Sequence, residues 1–181
     1  MSTKDNARES NRDGFRSKEP PKGSAYDGAV RLLGMREHSR FELQQKLNAR
    51  GFDPSDIESA LDRLIEQKYL DDQRFAEILS RQYSNLGRRG LTEQMKKRGI
   101  SKDIWEPLVL QIDSREEFDR ALNAARRKTH LVPDDWDQRE KWRRRTASFL
   151  QRRGFNQSVV MAVLARLIEE SDSEERDEQV W

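Results

Sequence analysis

Leu47-Asn48-Ala49-Arg50-Gly51-Phe52, Met95-Lys96-Lys97-Arg98-Gly99-Ile100 and Leu150-Gln151-Arg152-Arg153-Gly154-Phe155 are three versions of one phrase. Each ends a helix-like stretch, and the glycines lie 48 and 55 residues apart. Glycine just past a helix end enters the left-handed region without a Cβ clash. The residue after it then returns to the helix residue four before the glycine, which pairs Phe52 with Leu47, Ile100 with Met95 and Phe155 with Leu150. The phrase is first of all a helix stop, and the arginine ahead of each glycine suits the negative end of a helix dipole. Its recurrence at this period predicts an array of small helical modules.

The sequence around the caps divides accordingly. Residues 1–24 are polar, contain Pro20-Pro21, and are expected to form a disordered tail. The first module covers 25–70. A helix carries Ala29, Leu32, Leu33 and Met35, and Ser39-Arg40-Phe41-Glu42 reads as a capping box. The next helix turns Phe41, Leu43 and Leu47 inward. Asp53-Pro54 starts a third helix with Ile57, Ala60, Leu61, Leu64 and Ile65, reaching Tyr69-Leu70. The second module, 71–112, restarts at Asp71-Asp72 and repeats the apolar spacing with Leu91 and Met95. Pro107 falls far enough into its last helix to bend or shorten it. The third module, 113–168, opens on Ser114-Arg115-Glu116-Glu117, read as another capping box, and is longer between Phe118 and Gly154. Position −8 from that glycine is Thr146 where the other modules have leucine. Residues 169–181 form an acidic tail. No stretch sustains a period of two, so the expected fold is all-α, an elongated array of three tandem three-helix modules.

Composition fits an array better than one large core. Of 181 residues 34% are hydrophobic and 38% charged, with mean hydropathy −1.06. No apolar run approaches the ~20 residues of a membrane span, and no signal-peptide pattern is present. The chain lacks cysteine, which fits a reducing compartment, and the cytoplasm is the default. Net charge is +2 but uneven: residues 25–168 carry 28 basic against 22 acidic residues, and 169–181 carry seven acids against one arginine. A basic body points to an anionic partner, or to a well-solvated helical surface.

Catalysis finds little support. His38 and His130 both read as surface residues, the carboxylates sit at helix starts where capping explains them, and no metal or phosphate-loop motif occurs. The chain is expected to be no enzyme, with no catalytic residue, cofactor or metal. The stronger signal is basic. Seven basic residues and a single acid, Glu140, lie between Arg139 and Arg153, among them Arg143, Arg144, Arg145, Arg152 and Arg153. Arg126, Arg127 and Lys128 close the helix before, and Lys96, Lys97 and Arg98 form a smaller group. Adjacent arginines wrap round a helix and face solvent, and with Trp142 nearby they make a candidate surface for phosphates or an acidic groove. Trp142 itself reads first as a core residue.

Three phrases in series carry a family resemblance. Arg36-Glu37-His38-Ser39-Arg40-Phe41-Glu42-Leu43 with Gly51-Phe52, Leu70-Asp71-Asp72-Gln73-Arg74-Phe75-Ala76, and Arg152-Arg153-Gly154-Phe155 resemble the RecX family over residues 26–168. The resemblance implies three tandem three-helix modules and a monomeric bacterial regulator. Such a regulator lies in the groove of the RecA filament and restrains strand exchange, ATP hydrolysis and co-protease activity; some members also contact DNA. Residue chemistry alone leaves two further classes open, a nucleic-acid-binding protein acting without RecA and a structural helical adaptor.

Overall fold

The computed structural model describes residues 23–129 and 132–178. The tail of residues 1–22, His130 and residues 179–181 lie outside the described part. Within it there are nine helices and no strand: α1 Ala25–Leu33, α2 Arg40–Ala49, α3 Pro54–Glu66, α4 Asp72–Gln82, α5 Arg88–Lys97, α6 Lys102–Leu110, α7 Ser114–Lys128, α8 Trp136–Arg152 and α9 Gln157–Glu178. The fold is an all-α helical repeat. Each consecutive triplet packs on itself, and the extensive helix–helix contacts all fall inside a triplet.

Each triplet owns a separate core. Leu43, Leu47, Leu61 and Leu64 close the first, fully buried with Ala29 and Ile57. Phe75, Leu79, Leu91 and Met95 close the second, and Ala121, Leu150, Phe155, Val160 and Val163 the third. Burying one such leucine contributes about 1.5–3 kcal/mol, and these separate cores are the main apolar contribution set against the ordering of each module's helices. Trp142 belongs to the third core at 9% exposure.

The three glycine caps are alike. Gly51, Gly99 and Gly154 have φ of 87°, 70° and 82°. The amides of Phe52, Ile100 and Phe155 donate to the carbonyls of Leu47, Met95 and Leu150 at 3.3, 3.1 and 3.3 Å. Those of the glycines donate to Asn48, Lys96 and Gln151. This double pattern satisfies carbonyls the helix end would otherwise leave without partners.

Several local expectations are corrected. The N-cap of α7 is Asp113, whose carboxylate accepts from the Glu116 amide at 2.7 Å; Ser114 is the first helical residue. Ser39 caps the Glu42 amide at 3.0 Å, but the Glu42 side chain turns to other partners and does not close a capping box. Phe41, Met35, Ile65 and Tyr69 are 40–77% exposed, because the first core is filled without them. Pro107 sits inside α6, which continues to Leu110. The acidic segment after Ile168 continues α9, which runs unbroken to Glu178 because the segment holds no proline or glycine to stop it.

The longer third module has a defined cause. Ser39 and Gly87, twelve residues before Gly51 and Gly99, are the N-caps of α2 and α5. Twelve residues before Gly154 stands Trp142, in mid-helix, because α8 carries nearly two extra turns ahead of it.

Candidate partner interface

Two of the three arginines that precede the cap glycines are claimed by junctions between modules. At the first, Arg98 donates to a Glu42 oxygen at 3.0 Å and to the Tyr83 hydroxyl at 3.0 Å, while its carbonyl accepts from Ser39 Oγ at 2.5 Å. At the second, the Arg153 carbonyl accepts from the Gly87 amide at 3.0 Å, and its guanidinium lies over Phe149 and reaches the Asn85 carbonyl. An acidic side chain from the later module completes each: Asp72 accepts from the Arg40 amide at 2.8 Å, and Glu117, 2% exposed, from the Arg88 amide at 3.1 Å. Both guanidiniums are thus occupied by contacts within the fold.

Glu42 is the hub of the first junction. It takes hydrogen bonds from Arg36 at 3.0 Å and from His38 Nδ1 at 2.9 Å as well as from Arg98. Burial pushes its pKa up, but these hydrogen bonds and the charges of Arg36 and Arg98 prevail and hold it below the usual carboxylate range. With the carboxylate ionised, His38 Nδ1 is the donor. His38 is not the surface residue expected from sequence: it is 2% exposed. Burial lowers its pKa, outweighing the Glu42 contact that raises it. A histidine with a depressed native pKa binds its proton more readily when unfolded, so native stability falls as pH drops through about 6.5. Urea unfolding followed from pH 7.5 to 5.5 should therefore show a loss that His38→Gln removes. An identical pH slope in the variant would exclude His38 as its source.

The remaining basic candidates separate by whether an acid already holds them. Arg126 donates to both oxygens of Glu170, at 2.7 and 2.9 Å, and this bond holds the Glu170 pKa below normal. Arg139 pairs with Asp172 at 3.1 Å. Arg144 and, more loosely, Arg143 share Glu140 at 3.0 and 3.9 Å. Lys96 lies 5.2 Å from the centroid of the Trp105 ring. Lys97, Arg127, Lys128, Arg145 and Arg152 have no side-chain partner among the described residues.

Three of these five meet. Lys128, at the end of α7, and Arg145 and Arg152, seven apart on α8, border a cavity of about 460 Å³ whose walls include Trp142, Thr146 and Phe149. Trp142 Nε1 and Thr146 Oγ1 lie buried there without a hydrogen-bond partner. Helix periodicity explains the grouping: positions 142, 145, 149 and 152 form one stripe of α8. The same spacing is present in the basic run of the sequence, where Arg145 and Arg152 stand seven apart and Arg143 and Arg144 fall on other faces. A groove with three unpaired cations and an aromatic wall suits phosphate or carboxylate groups. Among the described residues no cluster of His, Asp and Glu could hold a metal ion, and no helix is long and apolar enough to cross a membrane.

Comparison with known proteins is consistent over most of the chain. Residues 25–64 match the family model described as RecX, first three-helix domain, and residues 115–164 that of RecX, third three-helix domain. The chain is 36% identical over 148 residues to regulatory protein RecX of Halorhodospira halophila, covering 81% of this chain and 89% of that one. It is 34% identical over 145 residues to that of Mycobacterium sp. strain JLS, covering 77% and 79%. The crystal structure of RecX from Lactobacillus salivarius superposes with a TM-score of 0.63 at 19% identity, over 79% of this chain and 94% of that one, a likeness of fold.

Proposed function

This chain belongs to the RecX family of regulatory proteins, and we propose that it binds the RecA filament in its groove and restrains strand exchange, ATP hydrolysis and co-protease activity. The observation that carries the contact surface is the trio Lys128, Arg145 and Arg152, left without acidic partners beside an aromatic wall. Arginine and lysine exposed in this way are available to anionic groups of a filament, whether acidic side chains of the recombinase or phosphates of the enclosed strand. Three modules in series suit an extended groove better than a compact ligand. The protein acts as a monomer in the cytoplasm and takes no cofactor.

Assembly of the cognate RecA on single-stranded DNA, followed with and without this protein, tests the reading. Slower net filament growth and lower ATP hydrolysis are expected at substoichiometric protein. Normal assembly together with tight, salt-sensitive binding to free DNA would favour the second reading, a nucleic-acid-binding protein independent of RecA. In that case affinity falls by roughly one log unit per log unit of salt for each phosphate contacted.

The acidic end of α9 modulates this surface. Glu170 and Asp172 neutralise Arg126 on α7 and Arg139 on α8, the two helices that also carry the groove's cations. Glu170→Gln with Asp172→Asn should release both cations, together with Arg166, which also pairs with Glu170 at 2.9 Å, and tighten binding to single-stranded DNA by about tenfold at low salt, with little change at high salt where exposed charges are screened. Unchanged low-salt affinity would leave these pairs as helix-packing contacts only.

A further inference from the structure

Position −8 from each cap glycine is a core position. In the first two modules it holds Leu43 and Leu91, both fully buried. The third module places Thr146 there, as deeply buried at 1% exposure, and its hydroxyl has no hydrogen-bond partner. A leucine carries no such cost, whereas a buried hydroxyl without a partner destabilises the fold. One turn earlier Trp142 repeats the anomaly. It is 9% exposed, and its Nε1, a donor only, has no acceptor.

The two junctions show how this edge of the helix is used elsewhere. Positions −12 and −9 of α2 and α5 meet the following module. Ser39 Oγ and the Gly87 amide donate to the Arg98 and Arg153 carbonyls, Glu42 takes the Arg98 guanidinium, and Gly90 packs against Gly154. In α8 the same positions are Trp142 and Arg145. The helix runs on ahead of them through Trp136–Lys141, so no helix start is offered there to a further cap. The edge is rebuilt from side chains. Two buried neutral donors, Trp142 and Thr146, and three exposed cations, Lys128, Arg145 and Arg152, border one cavity of about 460 Å³. Among the described residues no carboxylate lines it.

We propose that this cavity is a site for the phosphoryl group of a nucleotide, with Trp142 and Thr146 as the donors that set its specificity. The proposal rests on the reading of this groove as a binding surface and names what the surface selects. Every unpaired group there is a donor or a cation, so the occupant brings acceptors and negative charge. A phosphoryl group offers several oxygens arranged in three dimensions, enough to meet Nε1–H, Oγ1–H and the cations together. A carboxylate has two oxygens in one plane and a single charge. The cavity exceeds what a phosphoryl group fills and falls within the range of small-ligand sites, about 300–1,000 Å³, which leaves room for the attached sugar and base. Nε1 and Oγ1 are shielded from solvent, so the ligand reaches them as the long side chains of Arg145 and Arg152 swing onto its oxygens.

The full-length ¹⁵N-labelled chain is titrated with thymidine 5′-monophosphate, with a short oligothymidylate and with polyglutamate. The Trp142 indole N–H, assigned by its loss in Trp142→Phe, should shift saturably with both thymidylates and stay in place with polyglutamate. Thr146→Val keeps the side chain's shape and removes the hydroxyl. It should weaken thymidylate binding about tenfold without lowering the melting temperature. A threonine that is merely an unsatisfied core residue would instead give a more stable variant of unchanged affinity, which overturns the proposal. An indole unmoved by either thymidylate, or moved as readily by polyglutamate, overturns it too. Equal affinity for the monophosphate and the oligomer assigns a free nucleotide as the source, and tighter binding of the oligomer assigns a strand. If Thr146→Val bound both like wild type while Lys128→Glu, Arg145→Glu and Arg152→Glu together still abolished restraint of the filament, the phosphoryl site would fall and the basic groove would stand.

Discussion

Gly154→Ala should destabilise the protein by roughly 4 kcal/mol and Gly51→Ala by only about 1. Both residues are left-handed, and that conformation costs an L-residue about 1–2 kcal/mol. The difference lies beyond the cap. A methyl group on Gly154 would stand 2.0 Å from the amide nitrogen and 2.6 Å from the Cα of Gly90. These are backbone atoms of α5, with no rotamer by which to retreat. Gly87 and Gly90 are equally tight from the other side: a Cβ added to either would fall 2.5 Å or less from a third-module carbonyl. Relief requires the third module to back away, which breaks the Gly87–Arg153 bond and uncouples the buried Glu117 from the Arg88 amide. Each lost bond of this kind costs about 1 kcal/mol or more. Urea denaturation of the two variants measures the contrast, and hydrogen exchange at Arg88 and Gly90 reports where it arises. Equal stabilities for the two would mean that the third module shifts freely on α5.

The second large effect concerns binding. Lys128→Glu, Arg145→Glu and Arg152→Glu together should leave helix content and melting temperature unchanged, because the three are exposed and without side-chain partners among the described residues. The same triple variant should reduce filament or DNA affinity at least about a thousandfold at low salt. It should also lower the slope of log affinity against log salt by about three wherever the contacts are phosphates. Arg143→Glu with Arg144→Glu, next to them but already sharing Glu140, should cost far less. Arg98→Glu would act by a different route, loosening the first junction through repulsion of Glu42. A folded triple variant that binds like wild type would move the surface to Lys97 and Arg127.

The modules were legible in the sequence because their determinants are local. A glycine cap, an N-cap such as Asp53 and an apolar stripe each express themselves within about ten residues. The junctions were hidden because the same residues act twice. Gly154 announces a helix stop, and nothing nearby shows that Gly87 and Gly90 rest on it. Ser39 and Glu42 look like a capping box, but Glu42 turns to Arg36, His38 and Arg98, the last of them 56 residues away. The candidate site was readable to the same degree. Glu140 neutralising Arg144 is an i,i+4 relation visible in the sequence, whereas Glu170 neutralising Arg126 spans 44 residues and arises from the packing of α7 on α9. What selected Lys128, Arg145 and Arg152 was the removal of their neighbours from contention.

The three cores share no residue, and the seams between them consist chiefly of backbone carbonyls, amides and a few charges. A seam of that kind resists sliding, since hydrogen bonds lose strength steeply when misaligned, but it tolerates small rotations that leave every core closed. The molecule is thus a linkage: three stiff segments on two polar pivots. Bending it changes a handful of hydrogen-bond angles and exposes little oil to water. Such a body can follow a track whose pitch varies along its length, and it stores little elastic energy in doing so.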